Sequence, residues 1–192
     1  MFENFQLYSF LISFLTVYLV TPRLIPLLEI KKLTGKDMNK ANKPEIPAIG
    51  GIAVQLGFYA GVMSYIVFVE TLSNYIFVFI LVSIGVGLIG IIDDIIILRQ
   101  SHKALLPFLV AIPTGFFLST VIPIPFLGFY DFGMLMLFLS PFGITCGANA
   151  ANMLEGFNGL GVGMLSIIVS CMVFLMFFNE SYSGLLITLP LL

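Results

Sequence analysis

The sequence has very little charge. Only 9% of its 192 residues are Asp, Glu, Lys or Arg, 59% are hydrophobic, and the mean hydropathy is +1.11. Soluble domains carry about 25% charged residues. The composition therefore excludes a soluble globular domain and predicts an all-α, polytopic membrane protein. A net charge of −2 without a basic patch argues against a nucleic-acid partner.

Cysteine is also scarce. Cys146 and Cys171 lie inside apolar runs, so we interpret them as small packing residues and predict no disulfide framework. The sequence lacks the HExxH zinc motif, the GxSxG nucleophile motif, CxxC and the Walker phosphate loop. It also lacks the Gly-x-Gly-Asp of intramembrane aspartyl proteases and the spaced aspartates of headgroup transferases. These common classes of chemistry are therefore not indicated.

What the sequence does contain is long apolar runs, and roughly 20 such residues cross a bilayer as a helix. Glu3 stands where a signal peptide would carry basic residues, so the first run is interpreted as a retained anchor. Gly57 and Gly61 form a small-xxx-small pattern suited to close helix packing. Six complete spans are predicted at about residues 7–28, 48–69, 75–92, 104–121, 132–147 and 161–178. A seventh begins at Gly184 and has too few residues to cross, so we expect residues 1–192 to be one transmembrane domain of an incomplete chain.

Basic residues are confined to one side of this topology. All eight Lys and Arg residues lie at the ends of spans one and three, and none lies in the loops at Glu70, Asp131 or Glu180. By the positive-inside rule that side is cytoplasmic and the N-terminus is outside. The same count brings three polar segments, at residues 34–42, 93–94 and 149–160, to the cytoplasmic side.

The segment 149–160 concentrates three amides, one carboxylate and two glycines between two apolar runs. If it begins as a helix, Asn149, Asn152 and Gly156 share one face, because they are spaced at i, i+3 and i+7. Such a face can hold a metal ion or a polar headgroup. The alternative is that the asparagines only cap a membrane helix.

Asp93 and Asp94 directly follow an apolar run, and ionisable residues at a membrane boundary often mark functional sites. Gly85, Gly87 and Gly90 would let neighbouring helices pack closely, which predicts a buried position for the pair. Adjacent carboxylates can bind a hard cation such as Mg²⁺, directly or through water, or act as a base. The alternative is two carboxylates that end a helix in water.

Lys103 stands ten residues after Asp93, where the fourth span is predicted to begin. It is interpreted either as a phosphate contact or as a lysine that reaches the membrane interface along its aliphatic stem. Glu155 could pair with Lys103 or be solvated. Arg99 is interpreted as a positive-inside residue, and His102 as an interface or structural residue.

Three motifs occur together in this chain. They are Gly35-Lys36-Asp37-Met38-Asn39-Lys40 with Ile46-Pro47, then Asp93-Asp94-x-x-x-Leu98-Arg99-x-x-His102-Lys103, then Asn149-Ala150-x-Asn152-x-Leu154-x-Gly156-x-Asn158-Gly159-Leu160. Together they resemble the polyprenyl-phosphate N-acetylhexosamine-1-phosphate transferases, most closely the dolichyl-phosphate branch of eukaryotes and archaea. The resemblance covers nearly the whole chain but only the first half, or slightly more, of the family's fold. Ala48 departs from it, since eukaryotic relatives carry a glutamate there.

The resemblance implies a reaction of UDP-GlcNAc with dolichyl phosphate that gives dolichyl-diphosphate-GlcNAc and UMP at the cytoplasmic face. It implies Mg²⁺, with Mn²⁺ as an alternative, in the plasma membrane of an archaeon or the endoplasmic reticulum of a eukaryote, and it allows a homodimer. It assigns Asn152 to the metal and Asp93, Asp94 and Lys103 to catalysis. The residues it assigns to substrate binding are Asn149, Gly156, Asn158, Asp37, Asn39 and Lys40.

Two other classes of function stay open. A transporter would place its polar residues at the membrane midplane on broken helices, whereas these segments are predicted at helix ends, which favours an enzyme at the interface. A non-catalytic fragment, or a subunit that needs a partner, is the second alternative. It arises because the family's later metal-binding aspartate and its sugar-reading loop are absent from this sequence.

Overall fold

The computed structural model describes residues 2–36, 40, 42–47, 49–69, 73–96, 98–124, 126–154, 159–179 and 181–192. The helices are α1 (Phe2–Ile30), α2 (Gly51–Val69), α3 (Asn74–Ile96), α4 (Gln100–Ala111), α5 (Thr114–Phe117), α6 (Met136–Leu154), α7 (Leu160–Phe178) and α8 (Tyr182–Thr188). Two 3-10 turns cover Gly133–Leu135 and Leu189–Leu191. The strands are β1 (Thr34–Lys36), β2 (Glu45–Pro47), β3 (Val121–Ile124) and β4 (Gly128–Asp131).

Five helical segments among the described residues are long and apolar enough to cross a membrane. They are Phe5–Ile30, Gly51–Phe68, Asn74–Ile96, Gly133–Leu154 and Leu160–Phe178. A helix satisfies its own backbone hydrogen bonds, which is the condition for an apolar segment to cross lipid. These segments confirm the prediction of an all-α, polytopic membrane protein.

The fourth predicted span, residues 104–121, is not one helix as expected. Helix α4 ends at Ala111, α5 covers only Thr114–Phe117, and strand β3 begins at Val121. The break falls at Pro113, whose ring and missing N–H interrupt the helical hydrogen-bond ladder. The prediction of one continuous span is therefore corrected to two short helices in tandem.

The chain divides into two compact units, Met1–Thr71 with Leu154–Leu192 (unit 1) and Leu72–Met153 (unit 2). In unit 1, α1 and α2 approach closely at glycines. A Cβ at Gly57 would lie 2.9 Å from the carbonyl oxygen of Ser13, and one at Gly61 would lie 2.7 Å from that of Ser9. The Ser9 hydroxyl donates to the Gly61 carbonyl at 2.9 Å. The predicted small-residue packing of the second span is confirmed.

In unit 2, α4 and α5 run alongside α3 and α6. Val78 and Val82 of α3 form a buried apolar cluster with Ala111 of α4, and Ile144 of α6 packs against it. Close to the helix break, the hydroxyl oxygens of Thr114 and Ser140 lie 3.0 Å apart. The two short helices therefore pack against both α3 and α6.

Glycine packing in unit 2 was predicted for α3, and it is confirmed at Gly85 but not at Gly90. A Cβ at Gly85 would collide with the side chain of Val110 on α4, whereas one at Gly90 would meet nothing within 4 Å. Past α5 the chain forms an antiparallel hairpin of β3 and β4, with Val121 opposite Asp131 and Ile124 opposite Gly128. The 3-10 turn and α6 follow it directly.

Candidate active site

Three elements of unit 2 meet at one end: the last turns of α3, the first turn of α4 and the C-terminal part of α6. The Lys103 ammonium lies 2.7 Å from Oδ2 of Asp93, and their side chains are 20% and 14% exposed, respectively. Asn149 of α6 donates to the Lys103 carbonyl at 3.2 Å. We call these three residues the Asp93–Lys103–Asn149 cluster. An ion pair that is this far from water is stronger than one on an open surface.

The position of Asp93 follows from the length of α3. The helix continues past the predicted end at Ile92 to Ile96, so both aspartates lie within it. Oδ1 of Asp93 accepts a hydrogen bond from the Leu98 backbone N–H at 2.8 Å, which ties the chain leaving the helix back to the carboxylate. Both carboxylate oxygens of Asp93 are therefore engaged, one by a backbone N–H and one by Lys103.

Lys103 lies in the first turn of α4, and its backbone N–H donates to the Arg99 carbonyl at 3.1 Å. A cation near a helix N-terminus is disfavoured by the helix dipole. The Asp93 carboxylate offsets that repulsion and fixes the ammonium in place. Arg99 and His102, which the sequence did not assign to the site, are exposed.

Asn149 was predicted to bind substrate, and the structure also gives it a packing contact. Its Nδ2 donates to the Lys103 carbonyl and, at 2.9 Å, to the carbonyl of Thr145 one turn earlier. Both amide hydrogens are thereby used, which leaves the Oδ1 acceptor for a ligand. The sequence analysis missed the Thr145 bond, although the i−4 spacing is a signal that could have found it. The sequence carried no signal for the bond across to α4.

Asn152 lies on α6 three residues after Asn149 and is exposed. The helix continues to Leu154, so the predicted sharing of one helical face holds for these two asparagines. Asp94 is also exposed, unlike its neighbour Asp93, because successive residues of a helix point about 100° apart. The two aspartates were predicted to be buried together, and only Asp93 is partly buried.

Four predicted site residues, Asp37, Asn39, Gly156 and Asn158, lie outside the described residues, as does Glu155. Lys40 is described and exposed. The first polar loop also contains an element that the sequence analysis missed. Strands β1 and β2 pair antiparallel with Gly35 opposite Ile46, so the two parts of the first motif are hydrogen-bonded to each other.

Metal ligands can be assessed only in the part of the chain that the structure describes. There, no three or more His, Cys, Asp or Glu side chains lie close enough together to hold an ion. Mg²⁺ at a phosphate site needs fewer protein ligands, since it keeps several waters and takes oxygens from the substrate. The exposed amide of Asn152 and the exposed carboxylate of Asp94 offer the oxygen donors that Mg²⁺ prefers, so the donor chemistry fits.

The apolar spans and the partly buried ionic cluster at one end of unit 2 define a polytopic integral membrane protein with a site for charged groups. Comparison with known families supplies the rest of the identification. Residues 76–192 match the family described as Glycosyl transferase family 4, a stretch that contains the whole Asp93–Lys103–Asn149 cluster and Asn152. The chain belongs to glycosyl transferase family 4.

Individual relatives are archaeal and bacterial. A protein of Saccharolobus solfataricus, provisionally named UDP-N-acetylglucosamine–dolichyl-phosphate N-acetylglucosaminephosphotransferase, is 40% identical over 168 residues, which are 86% of this chain and 52% of that protein. One of the same provisional name from Sulfolobus acidocaldarius is 38% identical over 82% of this chain and 50% of its own. The phospho-N-acetylmuramoyl-pentapeptide-transferase of Staphylococcus saprophyticus is 31% identical over 82% of this chain and 56% of its own. The chain thus spans about half the length of the curated relatives it matches.

Proposed function

We propose that the protein takes part in the transfer of N-acetylglucosamine-1-phosphate from UDP-GlcNAc to a polyprenyl phosphate of the dolichyl type, the first step of lipid-linked glycan assembly. The observation that carries this proposal is the Asp93–Lys103–Asn149 cluster, which lies inside the segment that matches the family. The names of two archaeal relatives at 38–40% identity support the choice of substrates.

The reaction joins two anions. An oxygen of the lipid phosphate attacks the sugar-linked phosphorus of UDP-GlcNAc, the bond from that phosphorus to the bridging oxygen breaks, and UMP leaves with the bond's electrons. Repulsion between the phosphates is the main obstacle, so fixed positive charge and positioning supply most of the catalysis. In this proposal the Lys103 ammonium contacts a phosphate oxygen.

The two aspartates then have different roles. Both oxygens of Asp93 already accept protein hydrogen bonds, which favours it as the residue that positions Lys103 over a role as a base. Asp94 is exposed, and in this proposal its carboxylate orients the lipid phosphate or supports a metal. The lipid phosphate is already ionised near neutral pH, so its attack requires no protein base.

Magnesium is the cofactor we propose, with Mn²⁺ as an alternative ion. Asn152 would hold it through the amide oxygen, with water and substrate phosphates as the other ligands. When bound, the ion offsets phosphate charge. Asp37, Asn39, Lys40, Asn149, Gly156 and Asn158 complete the proposed substrate site.

We also propose that the cluster faces the cytoplasm, at the plasma membrane of an archaeon or the endoplasmic reticulum of a eukaryote. The support is that all eight Lys and Arg residues precede residue 104 and lie in the C-terminal part of α1 or in the segments that follow α1 and α3. We also propose that the protein forms a homodimer. The molecular mass of the purified protein in detergent, corrected for bound detergent, would distinguish a dimer from a monomer.

The test of the function is a transfer assay. Membranes that contain the protein should move radiolabelled GlcNAc-phosphate from UDP-GlcNAc to an added polyprenyl phosphate when Mg²⁺ is present. Asn152→Ala should abolish the transfer. Asn179→Ala is the matched control, because Asn179 is an exposed asparagine directly after α7, and its side-chain amide donates to the Leu175 carbonyl of that helix.

Two results would contradict this proposal in different ways. Failure of the unmodified protein to form the labelled lipid would refute the reaction itself. Transfer by Asn152→Ala at the rate of the Asn179→Ala control, with the same requirement for Mg²⁺, would leave the reaction standing and remove Asn152 as the metal ligand.

A further inference from the structure

The β3–β4 hairpin exposes apolar side chains on both of its faces. Successive strand residues point to opposite faces, so the pairs Pro123–Phe129 and Ile122–Tyr130 lie on different faces. Phe129 is 80% exposed and Tyr130 60%. A hairpin that packs on a protein in water has one apolar and one polar face. Apart from Asp131 at the end of β4, both faces of this hairpin carry apolar or aromatic side chains.

The backbone conformation at the tip of the hairpin also indicates a contact outside the protein. The Leu127 N–H donates to the Ile124 carbonyl and closes the turn. Phe126 within that turn has φ of 69°, a left-handed conformation in which glycine or asparagine is usual and a bulky residue is an outlier. Its side chain is fully exposed. A large aromatic residue in an unfavourable conformation, with its ring in the open, indicates that the ring contacts something outside the protein.

The position of the hairpin in the chain indicates that it lies at a surface of the bilayer. The span Gly133–Leu154 follows it directly and has 22 residues. At 1.5 Å per residue that is about 33 Å, close to the roughly 30 Å of bilayer hydrocarbon. Asn149 lies near the far end of this span, so the hairpin lies at the opposite bilayer surface. Aromatic residues concentrate at that depth.

The scarcity of charged residues on the hairpin favours lipid over a protein partner as the surface that it contacts. Between residues 118 and 135 the sequence carries one charged residue, Asp131. Its carboxylate accepts a hydrogen bond from the Gly133 N–H at 2.9 Å. That bond and one from the Thr120 side chain hold the pKa of Asp131 below its ordinary value. The carboxylate therefore stays ionised and is oriented by its own loop, and the remaining surface offers a partner no charge to recognise.

We propose that the β3–β4 hairpin is seated in the headgroup–acyl boundary of the bilayer, with Phe126 and Leu127 inserted among the lipids. The open strand edges keep it out of the hydrocarbon centre, because their backbone groups need water or headgroups as partners. Seated in this way, the hairpin anchors the start of the span that carries Asn149 and Asn152 near its other end. This inference does not depend on the proposed reaction.

Residues 1–192 contain no tryptophan, so an introduced tryptophan is the sole one in this stretch and its fluorescence reports one position. Phe126→Trp and Phe129→Trp place it at the tip and on one strand. Glu45→Trp is the control on the polar β1–β2 hairpin, where Glu45 is exposed. Ile167→Trp, on α7 and 66% exposed, is the reference for the hydrocarbon. Each full chain is reconstituted into phosphatidylcholine vesicles with bromine on the acyl chains either near the glycerol or near the chain end.

Both hairpin tryptophans should emit at shorter wavelength than Glu45→Trp and lose the most intensity to bromine near the glycerol. Ile167→Trp should lose the most to bromine near the chain end. Emission from positions 126 and 129 that matches the Glu45→Trp control would overturn the proposal. A blue shift without loss of intensity in either brominated lipid would overturn it as well, because a second copy or another protein would then cover the hairpin.

Discussion

The two ends of unit 2 differ in the range of the bonds that their polar side chains make. At one end Asp93, Lys103 and Asn149 are partly buried, and each is bonded to a group on another element. At the other end the β3–β4 hairpin exposes its apolar side chains, and its carboxylate, Asp131, bonds to a backbone N–H two residues away. Long-range bonds among polar groups fix relative positions, as chemistry requires. Local bonds beside exposed apolar surface leave that surface for the bilayer.

The largest expected difference between the two ends is their side of the membrane. In a Cys146→Ser, Cys171→Ser background, single cysteines at His102 and Asp131 report one end each. Since both basic residues of unit 2, Arg99 and Lys103, lie at the His102 end, we expect a membrane-impermeant thiol reagent added to intact cells to label position 131 and spare position 102. Inside-out vesicles should give the reverse. Labelling of position 131 from the cytoplasmic side alone would invert the topology.

The next largest effect should come from Lys103. If its ammonium contacts a phosphate, Lys103→Ala loses one charge-assisted bond of roughly 1.5–3 kcal/mol, which lowers the transfer rate about 10- to 150-fold. Lys103→Arg should recover part of the rate, because a guanidinium fork keeps the charge and changes the geometry. The measurement is turnover of radiolabelled UDP-GlcNAc, normalised to folded protein.

Lys31→Ala and Lys40→Ala are the controls for charge alone. Both lysines are exposed and belong to the basic cluster that sets the orientation, so they should mainly change the amount of inserted protein. Equal losses of normalised rate at positions 31, 40 and 103 would mean that the Lys103 charge acts only through topology. Lys103 would then leave the candidate site.

The sequence was sufficient for much of this architecture. Apolar length predicted the membrane helices, and the alternation of spans placed Asp93, Lys103 and Asn149 on one side, as the Asn149–Lys103 bond requires. The pairing of Lys103 with Asp93 was not predictable, since it depends on how α3 ends and α4 begins. Composition likewise gave no sign of the two hairpins, because their strands are three or four residues long and lack clear alternation.

The break in the fourth span was missed for a related reason. Pro107 and Pro113 both lie within the fourth span that the sequence predicts. In the structure Pro107 lies inside α4, and the helix is interrupted at Pro113. A proline within a membrane helix is tolerated when neighbouring groups satisfy the freed backbone. Which proline breaks the helix therefore depends on tertiary neighbours, here the contact of Thr114 with Ser140, and local sequence does not specify it.

The smallest effect should come from the bond that ties α6 to α4. Asn149→Ala removes hydrogen bonds to the carbonyls of Lys103 and Thr145, whereas Asn179→Ala removes one equivalent local bond, to Leu175 at 2.9 Å. The difference between the two variants isolates the bond to Lys103, about 0.5–1.5 kcal/mol. We expect a lower unfolding temperature for Asn149→Ala than for Asn179→Ala in detergent. We also expect a transfer rate lowered about 2- to 12-fold.

A double variant decides how Asn149 acts. If it works by positioning Lys103, Asn149→Ala should lower the rate little further once Lys103 is alanine. The stability loss should persist there, because the bond is to the Lys103 backbone carbonyl, which the substitution keeps. If Asn149 instead contacts substrate through its free Oδ1, the two losses of rate should multiply. Unchanged rate and unfolding temperature in the single Asn149→Ala variant would show that the tie between α6 and α4 is dispensable.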